Sequence, residues 1–228
     1  MQVSLRSGGV SVRLWADGPQ EAPALVIVNE YEDDDGDLFE ACRKAGCRGF
    51  VLAVLTDLDW NRDLSPWPEE LPDFGGGFGG GAGNYLVRLQ DEVLPSLEAA
   101  LSRPVSGRIL AGYSMAGLFA LWAATCGAPF SRFVSCSGSL WYPGFAERFA
   151  SAAPDPAPEA VYLSLGLREP RARSPLMARV GAATEAVYES LRRRGIRSTF
   201  EWNPGGHFTD PCGRLARGIA WALEPPSP

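Results

Sequence analysis

A serine, a glutamate and a histidine stand in this chain in an order in which a nucleophile, an orienting carboxylate and a general base could work together. Ser114 lies in Gly112-Tyr113-Ser114-Met115-Ala116-Gly117, after the apolar run Arg108–Ala111 and before the helix-forming Leu118–Ala124. A strand entering a sharp turn and leaving as a helix holds the hydroxyl at the tip, and small residues on both sides let the two backbones pass closely. The Met115 N–H, just past the turn, can face a developing oxyanion. A serine hydroxyl near neutral pH needs a general base. The only histidine, His207, follows 93 residues later in Trp202-Asn203-Pro204-Gly205-Gly206-His207-Phe208, between a strand-like and a helix-like segment. Glu169, just past the strand-like Leu163-Ser164-Leu165, is the candidate carboxylate for orienting the imidazole. Its competing reading is a surface charge paired with Arg168 or Arg171. Asp210 precedes Pro211 and reads as a helix N-cap, Glu201 lies inside a strand, and a Ser–His dyad without an acid stays open.

A second oxyanion donor is expected from the loop after an early strand, Val26-Ile27-Val28-Asn29-Glu30-Tyr31, with Tyr31 the first choice. The acidic run that follows (Glu30, Glu32, Asp33, Asp34, Asp35, Asp37) does not have EF-hand spacing and reads as a solvated loop before a helix. If these charges border the cleft, they disfavour anionic substrates. Trp60 and Trp67 flank Arg62, and Trp141-Tyr142 follow a later strand. These aromatics are candidates to wall an acyl or aryl pocket or, equally, to pack beneath loops, and Arg62 either pairs structurally or holds a substrate carboxylate.

The elements that must position these groups follow from periodicity. Apolar, β-rich runs occur at Val10–Trp15, Ala24–Val28, Phe50–Leu55, Arg108–Ala111, Arg132–Cys136, Ala160–Leu165 and Arg197–Trp202. Helix-like stretches lie at Gly36–Ala45, Asn84–Leu101, Met115–Cys126, Gly144–Ala152, Pro175–Arg194 and Pro211–Leu223. Alternation of this kind predicts one α/β domain over residues 1–228, with a mostly parallel sheet, helices on both faces and ligands beyond the carboxyl ends of the strands. The seven glycines of Gly75–Gly83 lack the Walker lysine and the dinucleotide fingerprint, and predict a mobile loop bordering the cleft. The tail from Glu224 to Pro228 is expected to be disordered.

Composition narrows the function classes. A net charge of −6 argues against nucleic-acid binding. No apolar run reaches the length of a membrane span, and the start Met1-Gln2-Val3-Ser4-Leu5-Arg6 lacks the apolar region of a secretory signal. Five cysteines without paired spacing read as free thiols, which predicts a cytoplasmic protein. With a single histidine and scattered cysteines, no metal site is expected.

Several segments together resemble the putative esterase family of α/β-hydrolases, which includes enterochelin (siderophore) esterases, feruloyl esterases, S-formylglutathione hydrolases and mycolyltransferases. They are the turn Gly112–Leu118, Glu92-Val93-Leu94-Pro95, Arg62-Asp63-Leu64-Ser65-Pro66, Ser137-Gly138-Ser139-Leu140-Trp141, and Gly205-Gly206-His207 with Trp221 downstream. Two positions depart from the pattern: Ala116 stands where glycine is usual, and the early loop lacks a His-Gly or Asp-Gly pair. The resemblance implies an α/β-hydrolase fold and hydrolysis of an ester or thioester by Ser114, His207 and Glu169, with no metal or organic cofactor. The span from Ser137 to Glu159 is too short for a large lid, which predicts an open cleft and a small soluble ester. The alternatives are acyl transfer by the same nucleophile and a non-catalytic binding protein on the same fold. The physiological ester and the oligomeric state are not legible.

Overall fold

A computed structural model of the chain describes residues 2–18, 21–31, 36–71, 76–101 and 103–224. The β-rich runs assemble into one eight-stranded sheet of order β1-β2-β4-β3-β7-β8-β9-β10. These strands are β1 (Gln2–Ser7), β2 (Val10–Ala16), β3 (Ala24–Asn29), β4 (Phe50–Thr56), β7 (Gly107–Tyr113), β8 (Arg132–Cys136), β9 (Ala160–Gly166) and β10 (Arg197–Asn203). From β4 to β10 every pairing is parallel, and β1 and β2 add an antiparallel edge. The central strands are buried along nearly their whole length, as a sheet covered on both faces requires.

Successive side chains of a strand point to opposite faces, so the sheet divides the core in two. Leu25, Ile27, Val51, Ala53 and Leu110 face one side, which is covered by α3 (Ala82–Arg88), α4 (Leu94–Leu101), α5 (Met115–Thr125), α6 (Phe145–Ser151) and α8 (Val180–Arg193). Val26, Val28, Leu52, Val54 and Val134 face the other side, beneath α1 (Asp37–Lys44) and α9 (Pro211–Leu223). Between α3 and α4 the chain widens into a π-turn at Leu89–Val93. Pro95, two residues further on, has no N–H to give to a helical carbonyl and crowds the preceding turn, so a widened turn there relieves the conflict.

The structure adds one strand and corrects one expectation. The N-terminal residues, which precede the first apolar β-rich run, form β1, paired residue by residue with β2, with Val3 and Leu5 against the core. The glycine-rich stretch, expected to be a mobile loop, instead supplies β6 (Gly76–Gly79), which pairs antiparallel with β5 (Pro68–Leu71). The glycines fit because the strand packs tightly: a Cβ on Gly79 would lie 2.7 Å from the Arg62 side chain. Two short helices complete the chain, α2 (Trp60–Asp63) and α7 (Pro175–Ala178), the latter broken from α8 at Arg179. Asp210 caps α9 through its side chain, which accepts from the Gly213 N–H. Gly75, the run Glu32–Asp35 and the last four residues of the tail lie outside the described residues. Among the described residues, no helix is long and apolar enough to cross a membrane.

Candidate active site

The parallel strands deliver four loops to one edge. Tyr31 follows β3, Ser114 follows β7, Glu169 follows β9 in a short 3₁₀ turn (Glu169–Arg171), and His207 follows β10. This is the carboxyl edge at which open parallel sheets hold their ligands.

Ser114 carries the strain of its turn. Its backbone sits at φ 57, ψ −120, a conformation that non-glycine residues adopt only when the surroundings enforce it. The enforcement is visible: the Ser114 N–H donates to the Cys136 carbonyl, and the Ser114 carbonyl accepts from Leu118 and Ser139 N–H. Gly112 must be glycine, since a Cβ there would lie 2.3 Å from the Ala116 backbone. Ala116 itself is buried in the core cluster that packs α5 on the sheet. Met115 opens α5, where the first N–H groups have no intrahelical acceptor.

His207 connects the serine to the acid. Its Nε2 lies 3.1 Å from Ser114 Oγ and its Nδ1 lies 2.8 Å from Glu169 Oε2. The loop bearing it is tied down: the Tyr113 hydroxyl donates to the His207 carbonyl at 2.6 Å, and the Arg168 N–H donates to the Gly205 carbonyl. Glu169 is 7% exposed, and its Oε1 accepts from Ser137 Oγ (2.6 Å), the Gly166 N–H (2.7 Å) and Arg214 Nη1 (3.3 Å). Burial works against ionisation of this carboxyl, but hydrogen bonds from His207, Ser137 and Gly166 outweigh it and hold Glu169 below the ordinary glutamate value. Gly166 permits this convergence, because a Cβ there would lie 2.8 Å from the Gly205 carbonyl and 2.9 Å from Glu169 Oε1. Ser137 reaches the acid from a left-handed backbone, φ 46. Ser139, buried, brings its own hydroxyl within 3.4 Å of Ser114 Oγ.

Two cavities flank the imidazole. One, about 330 Å³, is lined by Glu30, Tyr31, Trp60, Tyr113, Ser114, His207 and Phe208, together with Pro211, Cys212 and Leu215 of α9. The other, about 200 Å³, is lined by Ser137, Trp141, Arg168, Glu169, Ala172, Met177, Val180, Gly206 and His207. Of the residues singled out from sequence, Tyr31 and Trp60 line the first, in edge contact at 5.7 Å, and Trp141 lines the second. Arg62 and Trp67 line neither: Arg62 pairs with Asp59 and Asp63, and Trp67 lies under the Arg148 guanidinium and accepts from Tyr142 at its carbonyl. Sequence reasoning missed Arg214, Tyr113, Phe208 and the role of Ser137. Arg214 left one signal, a cation seven residues after His207 on the buried face of α9. Among the described residues, no group of three or more His, Cys, Asp or Glu side chains is placed to hold a metal ion.

A serine at the strained strand-to-helix turn of a doubly covered parallel sheet, with a histidine and a carboxylate at the same edge, defines the class: the chain has the α/β-hydrolase fold. Known proteins narrow this. Residues 59–207 match the family model described as "Putative esterase", about two-thirds of the chain, and the chain belongs to that family of ester hydrolases. The siderophore hydrolase EstA from Aspergillus nidulans superposes with a TM-score of 0.68 at 22% identity, over 97% of this chain and 92% of its own. The enterobactin esterase FES from Shigella flexneri superposes with a TM-score of 0.70 at 19% identity, over 97% of this chain and 58% of its own. An uncharacterized protein, YbbA, from Bacillus subtilis is 28% identical over 168 residues, 70% of this chain and 67% of its own length.

Proposed function

We propose that the chain cleaves a small carboxylic ester or thioester through an acyl-enzyme formed on Ser114. His207 Nε2 takes the Ser114 proton as Oγ attacks the substrate carbonyl, and Glu169 holds Nδ1–H and balances the imidazolium. The oxyanion is received by the Met115 N–H and by the Tyr31 N–H. Supporting the second donor, the preceding amide, Glu30 N–H, is already committed to the Leu55 carbonyl. The imidazolium then protonates the departing alcohol or thiol, and water repeats the sequence to release the acid. The observation that carries this reading is the unbroken chain Ser114 Oγ–His207–Glu169, at 3.1 and 2.8 Å, standing open to a cavity of about 330 Å³.

The aromatic cavity wall supports an ester with a flat or apolar acyl or leaving group. The siderophore hydrolase and the enterobactin esterase that share the fold make ester siderophores the first substrates to try. The test is labelling with an active-site fluorophosphonate. Ser114 should be modified in the native protein and not after Ser114→Ala, and His207→Ala should suppress the reaction. Labelling that survives Ser114→Ala at another residue overturns the assignment.

A further inference from the structure

Arg214 heads the large side chains that are fully buried, at 1% exposure, and the acyl-enzyme steps do not call on it. It rises from α9 beneath the histidine loop. Nη1 donates to the Tyr113 hydroxyl (3.1 Å), Ser137 Oγ (3.0 Å) and Glu169 Oε1 (3.3 Å). Nη2 donates to the carbonyls of Pro204 (2.9 Å) and Gly206 (3.1 Å). One guanidinium thus touches the acid, the serine that supports the acid, the loop just before His207, and the tyrosine that donates to the His207 carbonyl. A permanent cation at this depth persists only where its charge is matched, and the carboxylate paired with it is Glu169.

We propose that Arg214 is a positioning residue that locks the acid and the histidine loop into one body and, through its fixed charge, keeps the Glu169–His207 pair from taking up a proton. This rests on the reading of Ser114, His207 and Glu169 as the reacting groups. With the guanidinium in place, the unprotonated pair and its arginine sum to zero charge. Without it they carry −1, and adding a proton becomes easier whichever atom of the pair receives it. The base therefore stays available to lower pH because Arg214 is there.

Other groups near the pair do not replace it. The Tyr113 hydroxyl from β7 and the Cys136 thiol from β8 are both raised by burial, the thiol to about 12, so both stay neutral. Glu30 is an acid, not a cation, and lines the open cavity beside Cys212, whereas Arg168 is exposed, so solvent weakens its charge. An arginine that merely stapled α9 to its loops would leave the proton affinity of the pair unchanged.

The experiment compares native protein, Arg214→Met and Arg214→Lys by two readouts. One is the pH dependence of kcat/KM on a model ester; the other is the titration of the imidazole resonance, unambiguous because the chain has one histidine. In Arg214→Met, the acid limb and the resonance midpoint should both move up by about one pH unit, and kcat should fall about a hundredfold with KM little changed. Arg214→Lys should keep the native acid limb with a smaller loss of kcat. An acid limb and midpoint that stay in place in Arg214→Met overturn the proposal, whatever happens to the rate. Should circular dichroism show Arg214→Met unfolded, Arg214→Lys decides: a native limb with reduced kcat supports the proposal, and a raised limb or unaltered kcat overturns it. The resonance is read without turnover. Failure of the serine reading would appear separately, as hydrolysis that persists in Ser114→Ala.

Discussion

The two flanks of His207 are built on opposite principles. Toward Glu169 the polar groups themselves are enclosed, although a smaller cavity of about 200 Å³ runs beside them: the acid is 7% exposed, Arg214 1% and Ser137 1%, and each oxygen of the carboxylate has a donor. Toward the Ser114 cavity, large apolar side chains stand in water, Phe208 at 89% exposure and Tyr31 at 70%. Phe208 meets the His207 ring edge-on at 5.0 Å, as Tyr31 does Trp60. A buried polar network tolerates one arrangement, because any unmade bond in it is costly, whereas exposed aromatics can shift with little penalty. In the proposed reaction the enclosed flank therefore sets the geometry and charge of the base, and the open flank is left to adapt to the acyl or leaving group.

Substitutions can break this contrast or sharpen it. The largest effect belongs to the proposed nucleophile: Ser114→Ala should lower kcat for ester hydrolysis by about 10⁶, with unchanged circular dichroism. Next comes the enclosed flank. Glu169→Gln should lower kcat by about 10⁴, since the amide cannot fix the productive tautomer. It also tests stability. Glu169 titrates below its unfolded value, so its contribution is fully present above the ordinary carboxylate range and is lost as pH falls through the depressed folded value. Urea midpoints of the native protein should accordingly hold from neutral pH down to the ordinary carboxylate range and drop below about pH 4, and those of Glu169→Gln should start lower and depend less on pH. Ser137→Ala removes one donor to the acid and should lower kcat about tenfold, visible in steady-state kinetics at saturating ester. The smallest effect is expected on the open flank: Phe208→Ala should raise KM for an aryl ester several-fold, about 1 kcal/mol, with kcat and thermal midpoint unchanged. A Phe208→Ala loss as large as that of Ser137→Ala would erase the contrast.

Much of the architecture was legible because it rests on local patterns. Seven of the main-sheet strands and the helices between them follow from apolar runs and 3.6-residue periodicity, and Pro211–Leu223 has the extent read from its Asp210-Pro211 start. β1 escaped although Gln2–Ser7 alternates polar and apolar, because only Val3 and Leu5 carry the pattern and the strand is stabilised by pairing with β2, a partner the segment itself does not announce. The glycine-rich strand escaped for the opposite reason: glycine has poor strand propensity, and only the close approach of β5 and Arg62 makes its missing side chains an advantage.

By itself, the sequence determined the strained turn at Ser114, the order of strands and helices, and the presence of one histidine in a loop after a strand. These are consequences of neighbours along the chain, where sterics and periodicity act over a few residues. Only the tertiary structure decided that Glu169 sits with Arg214 rather than with Arg168 or Arg171, that Ser137 turns left-handed to reach it, and that Phe208 stands over the cleft while Arg62 turns to Asp59 and Asp63. Charge pairing acts through space. Which cation meets a buried carboxylate is fixed by how α9 packs on the sheet, and no spacing within the chain records that angle.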